Sequence, residues 1–139
     1  MNDLTSILRE VVEADQVQAA LICRRDGLLM GGYACEQTDM DAVGALVSRS
    51  MDHHEALLKE VAGGCLRWTL TECERCFVFV QDLEREAVLS LVLSNEEDGK
   101  GMKDNLEVLL PLAESLKERV WEALKPKEKP DFMIGVSDG

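Results

Sequence analysis

A strand with two apolar faces, followed by a tight turn, constrains the fold of this 139-residue chain more than any other feature. From Val17 to Cys23, nearly every side chain on both faces of the predicted strand is apolar. Such a strand lies inside a sheet that is covered on both sides, since a wet face would bring regular alternation with polar residues. Arg25-Asp26-Gly27 then predicts a tight turn. The next strand, Leu28-Leu29-Met30, would end or bulge at Gly31-Gly32.

Three further strands follow closely between Leu66 and Ser94. The first alternates apolar and polar residues from Leu66 to Thr71, which indicates one wet face and a position at the sheet edge. The segments 76–80 and 87–93 are apolar on both faces and therefore central. A mostly antiparallel five-stranded sheet of order 2-1-5-4-3 satisfies these patterns and keeps hairpin partners adjacent. The predicted fold class is α/β in the sense of a sheet covered by helices, and α+β in the stricter classification, because the strands are mostly antiparallel.

Three amphipathic helices flank these strands. The first is predicted over roughly 3–14 and the second from Thr38 to Val61, where Thr38 with Asp41 resembles a capping box and Gly63-Gly64 stops the helix. The last helix ends near Leu124 and contains Pro111, so it either kinks there or begins anew. The helices are expected to sandwich the sheet.

Composition limits the classes of partner. Hydrophobic residues make up 46%, which is enough for a core, and the length fits one domain over 1–125 with a flexible tail over 126–139. The formal charge of -12 would repel nucleic acid and anionic membrane surfaces. No apolar run approaches the roughly 18 residues of a membrane helix, so we expect no membrane insertion. The N-terminus lacks a signal-peptide pattern, and the five cysteines fit reduced thiols; both indicate a cytoplasmic protein.

Catalytic motifs are weak throughout. Cys73 and Cys76 form a Cys-x-x-Cys pattern, which could be half of a zinc site, but no second pair exists. A redox pair should open a helix, whereas this one lies in a predicted hairpin, so we interpret both as incidental thiols. His53 and His54 are neighbours on a helix and point about 100° apart, which disfavours a shared metal. We expect no enzyme activity, no cofactor and no metal site, with Cys73 and Cys76 as the remaining metal candidates.

Two features suit an interaction module. The strand from Leu66 carries Trp68 at a predicted open edge, and an unpaired edge invites pairing with another chain. The second helix has small or soft residues in or beside its apolar stripe, which suits packing of two copies. The predicted dimer interface comprises Gly44, Ser48, Met51, Leu66, Trp68 and Leu70.

The segment Ala19–Leu29 resembles the first hairpin of roadblock/dynein-light-chain domains: an apolar strand, a short Asp-Gly turn and a second apolar strand. The long helix, the three-stranded meander and the closing helix match the order of elements in that family over roughly residues 3–124. The resemblance implies a roadblock/profilin-like fold and a homodimer or heterodimer that joins its sheets through the third strand and packs its second helices together. It also implies partnership with Ras-like or Arf-like small GTPases, and the chain is similar to bacterial and archaeal Mgl-type regulators.

The expected function is therefore a non-catalytic dimeric regulator that binds a Ras-like small GTPase and modulates its nucleotide cycle. Two alternatives stay open: a scaffold dimer without effect on the GTPase, and a thiol or metal sensor through Cys73 and Cys76. The resemblance implies which surfaces of the chain bind partners, and it identifies no catalytic side chain. The Cys73–Cys76 turn is not a hallmark of the family.

Overall fold

Five antiparallel strands form one sheet in the computed structural model, which describes residues 4–14, 17–84, 87–94 and 102–124. The predicted order is confirmed, since the strands lie as β2-β1-β5-β4-β3. Their bounds are β1 Val17–Arg24, β2 Leu29–Ala34, β3 Trp68–Glu72, β4 Cys76–Asp82 and β5 Ala87–Ser94. The order leaves β2 and β3 at the two edges of the sheet.

Helices lie on both faces of the sheet. Their bounds are α1 Leu4–Ala14, α2 Met40–Glu60 and α3 Met102–Leu124. Helix α2 packs over β1 and β2 on one face, whereas α1 packs against the same strands on the other face and also contacts α3. The predicted tail, 126–139, lies outside the described residues.

Alternate side chains of the central strands divide the core into two layers. In β1, Ala20 and Ile22 join the layer beneath α1 and α3, whereas Leu21 and Cys23 join the layer beneath α2. Strand β5 contributes to both layers in the same way, and its Leu89 and Leu91 are buried. The doubly apolar pattern of the sequence therefore reflects a sheet with a helical layer on each side.

Of the two outcomes predicted at the paired glycines, an end or a bulge, strand β2 shows the bulge. The strand continues through Gly31 and Gly32 to Ala34, and Met30, directly before Gly31, is the extra residue that shifts its register with β1. A Cβ at Gly31 would come within 2.9 Å of the Leu4 Cβ. The missing side chain lets α1 approach the strand closely, so the glycine serves packing and not termination.

One helix detail differs from the sequence prediction, and a second excludes one of its two alternatives. Helix α2 is capped by Asp39, whose Oδ1 accepts a hydrogen bond from the Ala42 N–H at 3.1 Å, and not by Thr38. Helix α3 runs unbroken from Met102 to Leu124 with Pro111 inside it, so no new helix begins at the proline. The α3 residues that hold it against the sheet share one buried apolar face: Leu109, Ala113, Leu116 and Val120.

Candidate interaction surface

The free edge of β3 is the first component of the candidate surface. Cys73 N–H donates to the Cys76 carbonyl at 2.8 Å, and Asp82 N–H donates to the Arg67 carbonyl at 2.9 Å. Hydrogen-bonded pairs alternate along an antiparallel ladder, so the odd-numbered residues between 67 and 73 direct their backbone groups at β4. The even-numbered residues of β3 therefore direct their N–H and C=O groups away from the sheet. This outward set comprises Trp68, Leu70 and Glu72.

Side chains along β3 divide between the core and solvent. Trp68 keeps 38% of its surface exposed, and its ring centroid lies 5.8 Å from that of Phe79. Leu70 is partly buried against the layer under α1 and α3, whereas Leu66 precedes the strand and packs against the α2 layer. The structure brings Trp68 and Leu70 together on one face, and no strand among the described residues pairs with the backbone edge beside them.

The three predicted interface residues of α2 face their own sheet. Gly44, Ser48 and Met51 are buried, and the Ser48 hydroxyl donates to the backbone carbonyl of Arg25. A Cβ at Gly44 would lie 3.5 Å from the Cys23 Cβ, which shows how closely the helix approaches β1. A partner that reaches α2 from outside would not touch these side chains, because the helix itself lies between them and solvent.

The outward face of α2 carries a different apolar set. Leu46 is 61% exposed, Leu57 58% and Val61, just after the helix, 63%. The spacing of 11 and then 4 residues corresponds to about three turns and one turn, so these side chains line one stripe. The helical spacing of the sequence does not separate this stripe from the buried one. The paired apolar residues at 46–47 and 57–58 widen the apolar arc of the helix, so the spacing alone allows either one wide buried face or two separate faces.

An ion cluster anchors the middle of α2 to the sheet. The Arg25 guanidinium forms an ion pair with Glu55, lies 3.1 Å from Asp52 Oδ1, and lies 3.8 Å from Asp82 Oδ1 at the end of β4. Its side chain is only 20% exposed, whereas Asp52 is 66% exposed and Glu55 is 41% exposed. Arg25 thus links the β1–β2 turn, α2 and β4. No sequence pattern predicts this cluster, because the three carboxylates are distant from Arg25 along the chain.

Asp82 is the least solvated acid in this cluster. Burial raises the pKa of its carboxyl, while the positive charge of Arg25 opposes that rise. The Arg25 guanidinium has its pKa raised, chiefly by the hydrogen bond to Glu55. Burial therefore outweighs the Arg25 charge at Asp82, whereas pairing favours the charged form of Arg25. The cluster joins α2 to the β1–β2 turn and to the end of β4.

The remaining candidate residues are dispersed. His54 Nδ1–H donates to the Ser50 carbonyl at 2.9 Å within α2, and His53 is exposed beside it. The cysteines lie at separate places: Cys23 is buried, Cys35 and Cys65 are exposed singly, and Cys73 and Cys76 lie together at the β3–β4 turn. Within the ranges that the structure describes, no three His, Cys, Asp or Glu side chains are placed to hold a metal ion. None of the described helices is both long and apolar enough to span a bilayer.

A cavity of about 120 Å³ lies between β1 and the start of α2. Leu21, Cys35, Met40 and Val43 contribute to its lining. Cavities that bind small organic ligands usually measure about 300–1,000 Å³, so this one is closer to the size of a single side chain. It gives no reason to assign a small-molecule function.

Comparison with known families and structures agrees with this architecture. The family model described as the Roadblock/LC7 domain matches residues 4–94, which include the whole sheet, α1 and α2. No curated protein matches the chain. The family match therefore covers both components of the candidate surface, the β3 edge and the outward face of α2.

Three solved structures illustrate the shared fold. The gliding protein MglB of Thermus thermophilus has a TM-score of 0.68 and 18% identity, with 85% of each chain covered. MglB of Myxococcus xanthus also has a TM-score of 0.68, with 11% identity, and the match covers 88% of this chain and 100% of that one. A Roadblock/LC7 domain from Streptomyces avermitilis has a TM-score of 0.63 and 18% identity, over 88% of this chain and 92% of that one.

Proposed function

This chain belongs to the Roadblock/LC7 domain family, and we propose that it is a non-catalytic dimeric adaptor that binds a Ras-like small GTPase and modulates its nucleotide cycle. The unpaired β3 edge beside Trp68 carries the proposal, because that edge makes extensive contact only with β4 among the described elements. An edge of this kind is completed most simply by the same strand of a second copy.

The register of β3 defines the proposed contact. Leu70 is the middle residue of the strand and directs its backbone outward. A two-fold axis opposite Leu70 would pair Trp68 with Glu72 of the second copy, and all three outward residues would find hydrogen-bond partners. Both sheets then continue through the interface. The exposed parts of Trp68 would be covered in the same step.

The outward stripe of α2 supplies the second part of the proposed surface. Leu46, Leu57 and Val61 are too exposed to stabilise the isolated chain. Leu57 and Val61 lie one turn apart, and neighbouring exposed apolar residues mark interaction sites more often than scattered ones do; Leu46 lies three turns before them on the same side of the helix. Joining β3 edges would bring two copies of this helical layer beside one another, and the stripe would then face the other copy or the GTPase. The proposed helix contacts are therefore these outward residues, in place of the buried Gly44, Ser48 and Met51.

The edge contact is best tested at Glu72, because its side chain is exposed while its N–H points outward. Glu72→Pro removes that donor and leaves the β4 ladder intact. Two symmetric hydrogen bonds of about 1 kcal/mol each are lost, so the dissociation constant should rise about thirtyfold. Glu72→Ala is the matched control, since it removes the charge and keeps the N–H. Sedimentation equilibrium measures both, and equal constants for the two variants would exclude this edge.

The GTPase part of the proposal rests on family membership. A regulator without a catalytic group of its own changes rates by contacting one conformation of the switch loops better than another. A tenfold change in the population of switch conformations requires about 1.4 kcal/mol of differential contact, which a few side chains can supply. The acidic surface implied by the -12 charge would favour a partner with a basic complementary face.

A small GTPase encoded near this chain's gene provides the direct test. Binding is measured by calorimetry in the GTP-bound and GDP-bound states, and hydrolysis and nucleotide release are measured with and without the protein. Binding together with a changed rate supports a regulator. Binding with unchanged rates selects the scaffold alternative, whereas no binding removes the GTPase proposal. Leu57→Asp on the outward stripe, with the buried-face variant Gly44→Ala as control, then tests whether α2 carries the contact.

A further inference from the structure

The tip of the β3–β4 hairpin places two thiols side by side. Glu72 pairs with Phe77 as the last partners of the ladder, and Cys73 faces Cys76 one step further. Cys73 N–H donates to the Cys76 carbonyl at 2.8 Å, and two residues close the turn between them. Directly opposed residues in such a pair have Cα atoms about 5.5 Å apart, which lies within the range of about 4.4–6.8 Å found for disulfides. Their Cβ atoms are also about 5.5 Å apart and must approach to about 4.5 Å for the bond to form, which is a small movement at the tip of a hairpin.

The surroundings of these thiols differ from those of the other cysteines. Cys73 is exposed and Cys76 is half-buried. Burial raises the pKa of the Cys76 thiol, and the charge of Cys73 and a hydrogen bond between the two side chains raise it further. Cys23, by contrast, lies inside the sheet, where burial raises its pKa to about 11. Only the hairpin tip combines an accessible thiol with a second thiol in contact among the described cysteines.

We propose that Cys73 and Cys76 form a dithiol site that exchanges with low-molecular-weight disulfides such as oxidised glutathione. The Cys73 thiolate attacks one sulfur of the glutathione disulfide, forms a mixed disulfide and releases one glutathione thiolate. Cys76 then loses its proton to water, and its thiolate attacks the Cys73 sulfur, so that the Cys73–Cys76 bond forms and the second glutathione leaves. The dithiol is oxidised by two electrons, and the glutathione disulfide is reduced to two thiols.

Proximity makes the second step favourable. Cys76 competes with free glutathione as an intramolecular nucleophile already held against its target, and such groups act at high effective concentration. Metal binding is the weaker interpretation of the same pair, because the described residues bring no third or fourth ligand to the tip. The inference does not depend on dimer formation or on a GTPase.

The native, fully reduced chain is incubated with defined ratios of oxidised to reduced glutathione, then quenched with acid and alkylated. Trypsin cuts after Arg75, between the two cysteines, so a Cys73–Cys76 disulfide joins two peptides that otherwise separate. At one fixed concentration of reduced glutathione, we expect this linkage to appear at an oxidised-to-reduced ratio at least tenfold lower than glutathione adducts at Cys35 and Cys65. Those two exposed, single thiols are controls within the same molecule.

Two variants sharpen the result. Cys73→Ser should leave Cys76 able to form only a glutathione adduct, at ratios similar to those for the control thiols. Cys35→Ser combined with Cys65→Ser should keep the linkage unchanged, and circular dichroism confirms that each variant is folded. A persistent glutathione adduct on Cys73, a disulfide between two copies, or pairing of either thiol with Cys65 would each overturn the proposal.

Discussion

Removal of the Arg25 charge should loosen the contact between α2 and the sheet. Arg25→Met keeps most of the aliphatic stem and removes the guanidinium that faces Asp52, Glu55 and Asp82. The two α2 carboxylates are well solvated, so each pair contributes about 0.5 kcal/mol. Asp82 is only 26% exposed, and leaving it without its cation should cost about 1 kcal/mol more. The expected loss in free energy of unfolding is about 2 kcal/mol.

Urea denaturation followed by tryptophan fluorescence measures this loss, because Trp68 and Trp121 both report on the sheet. Trp121 donates its indole N–H to the Leu83 carbonyl at 2.8 Å, and the Trp68 ring contacts Phe79. All samples are compared at one protein concentration, since any dimer would make the midpoint depend on concentration. Arg25→Lys is the matched control; it keeps the charge without the planar fork and should lose about half as much.

A double-mutant cycle isolates the part that comes from Asp82. In an Asp82→Asn background, Arg25→Met should cost about 1 kcal/mol less than in the native chain, because no partly buried anion is left behind. A loss below about 0.5 kcal/mol for Arg25→Met alone, or equal losses in both backgrounds, would refute the anchoring role. Arg25 would then be a surface charge that happens to lie near three acids.

Three further predictions follow from single residues. Burial raises the folded-state pKa of Asp82 above its ordinary 3.8. The contribution of Asp82 to the free energy of unfolding is therefore fully present below pH 3.8 and is lost as the pH rises through the folded-state pKa. Urea titrations at several pH values should show this loss in the native chain and not in Asp82→Asn. Gly31→Ala should destabilise the fold by about 1–3 kcal/mol, because the new Cβ would clash with Leu4. Gly44→Ala would make only ordinary contacts and should stabilise α2 by up to about 1 kcal/mol. Thermal unfolding of both variants measures these opposite changes in stability. Cys23 should react with iodoacetamide at least about a hundredfold more slowly than Cys35 in the folded chain, because Cys23 is buried and its pKa is raised to about 11. Equal rates of alkylation, measured by mass spectrometry, would contradict the packing of β1.

Strand periodicity was sufficient to predict the sheet, for a physical reason. Each strand exposes its two faces to different layers, so the apolar content of alternate residues reports directly on how many layers cover it. Val17–Cys23 and Ala87–Leu93 therefore had to be interior, and Leu66–Thr71 had to be outside them. If strands joined by a hairpin are kept adjacent in the sheet, few strand orders are possible. At Gly31-Gly32 the same reasoning predicted an end or a bulge, and the bulge is found at Met30. The close approach of α1 to Gly31 is not visible in any local pattern of the sequence.

Helix periodicity was less informative about the candidate surface. A long helix with apolar residues over more than half its circumference can bury one wide face or two separate faces, and its sequence is the same in both cases. The contacts of β1 with Gly44 and Met51 decide between them, because a helix that approaches this closely turns Leu46 and Leu57 outward. The ion cluster around Arg25 fixes that rotation from three elements at once. The exposed stripe is thus a consequence of how α2 is anchored, and a variant that weakens the anchor should weaken partner binding without altering any residue of the stripe.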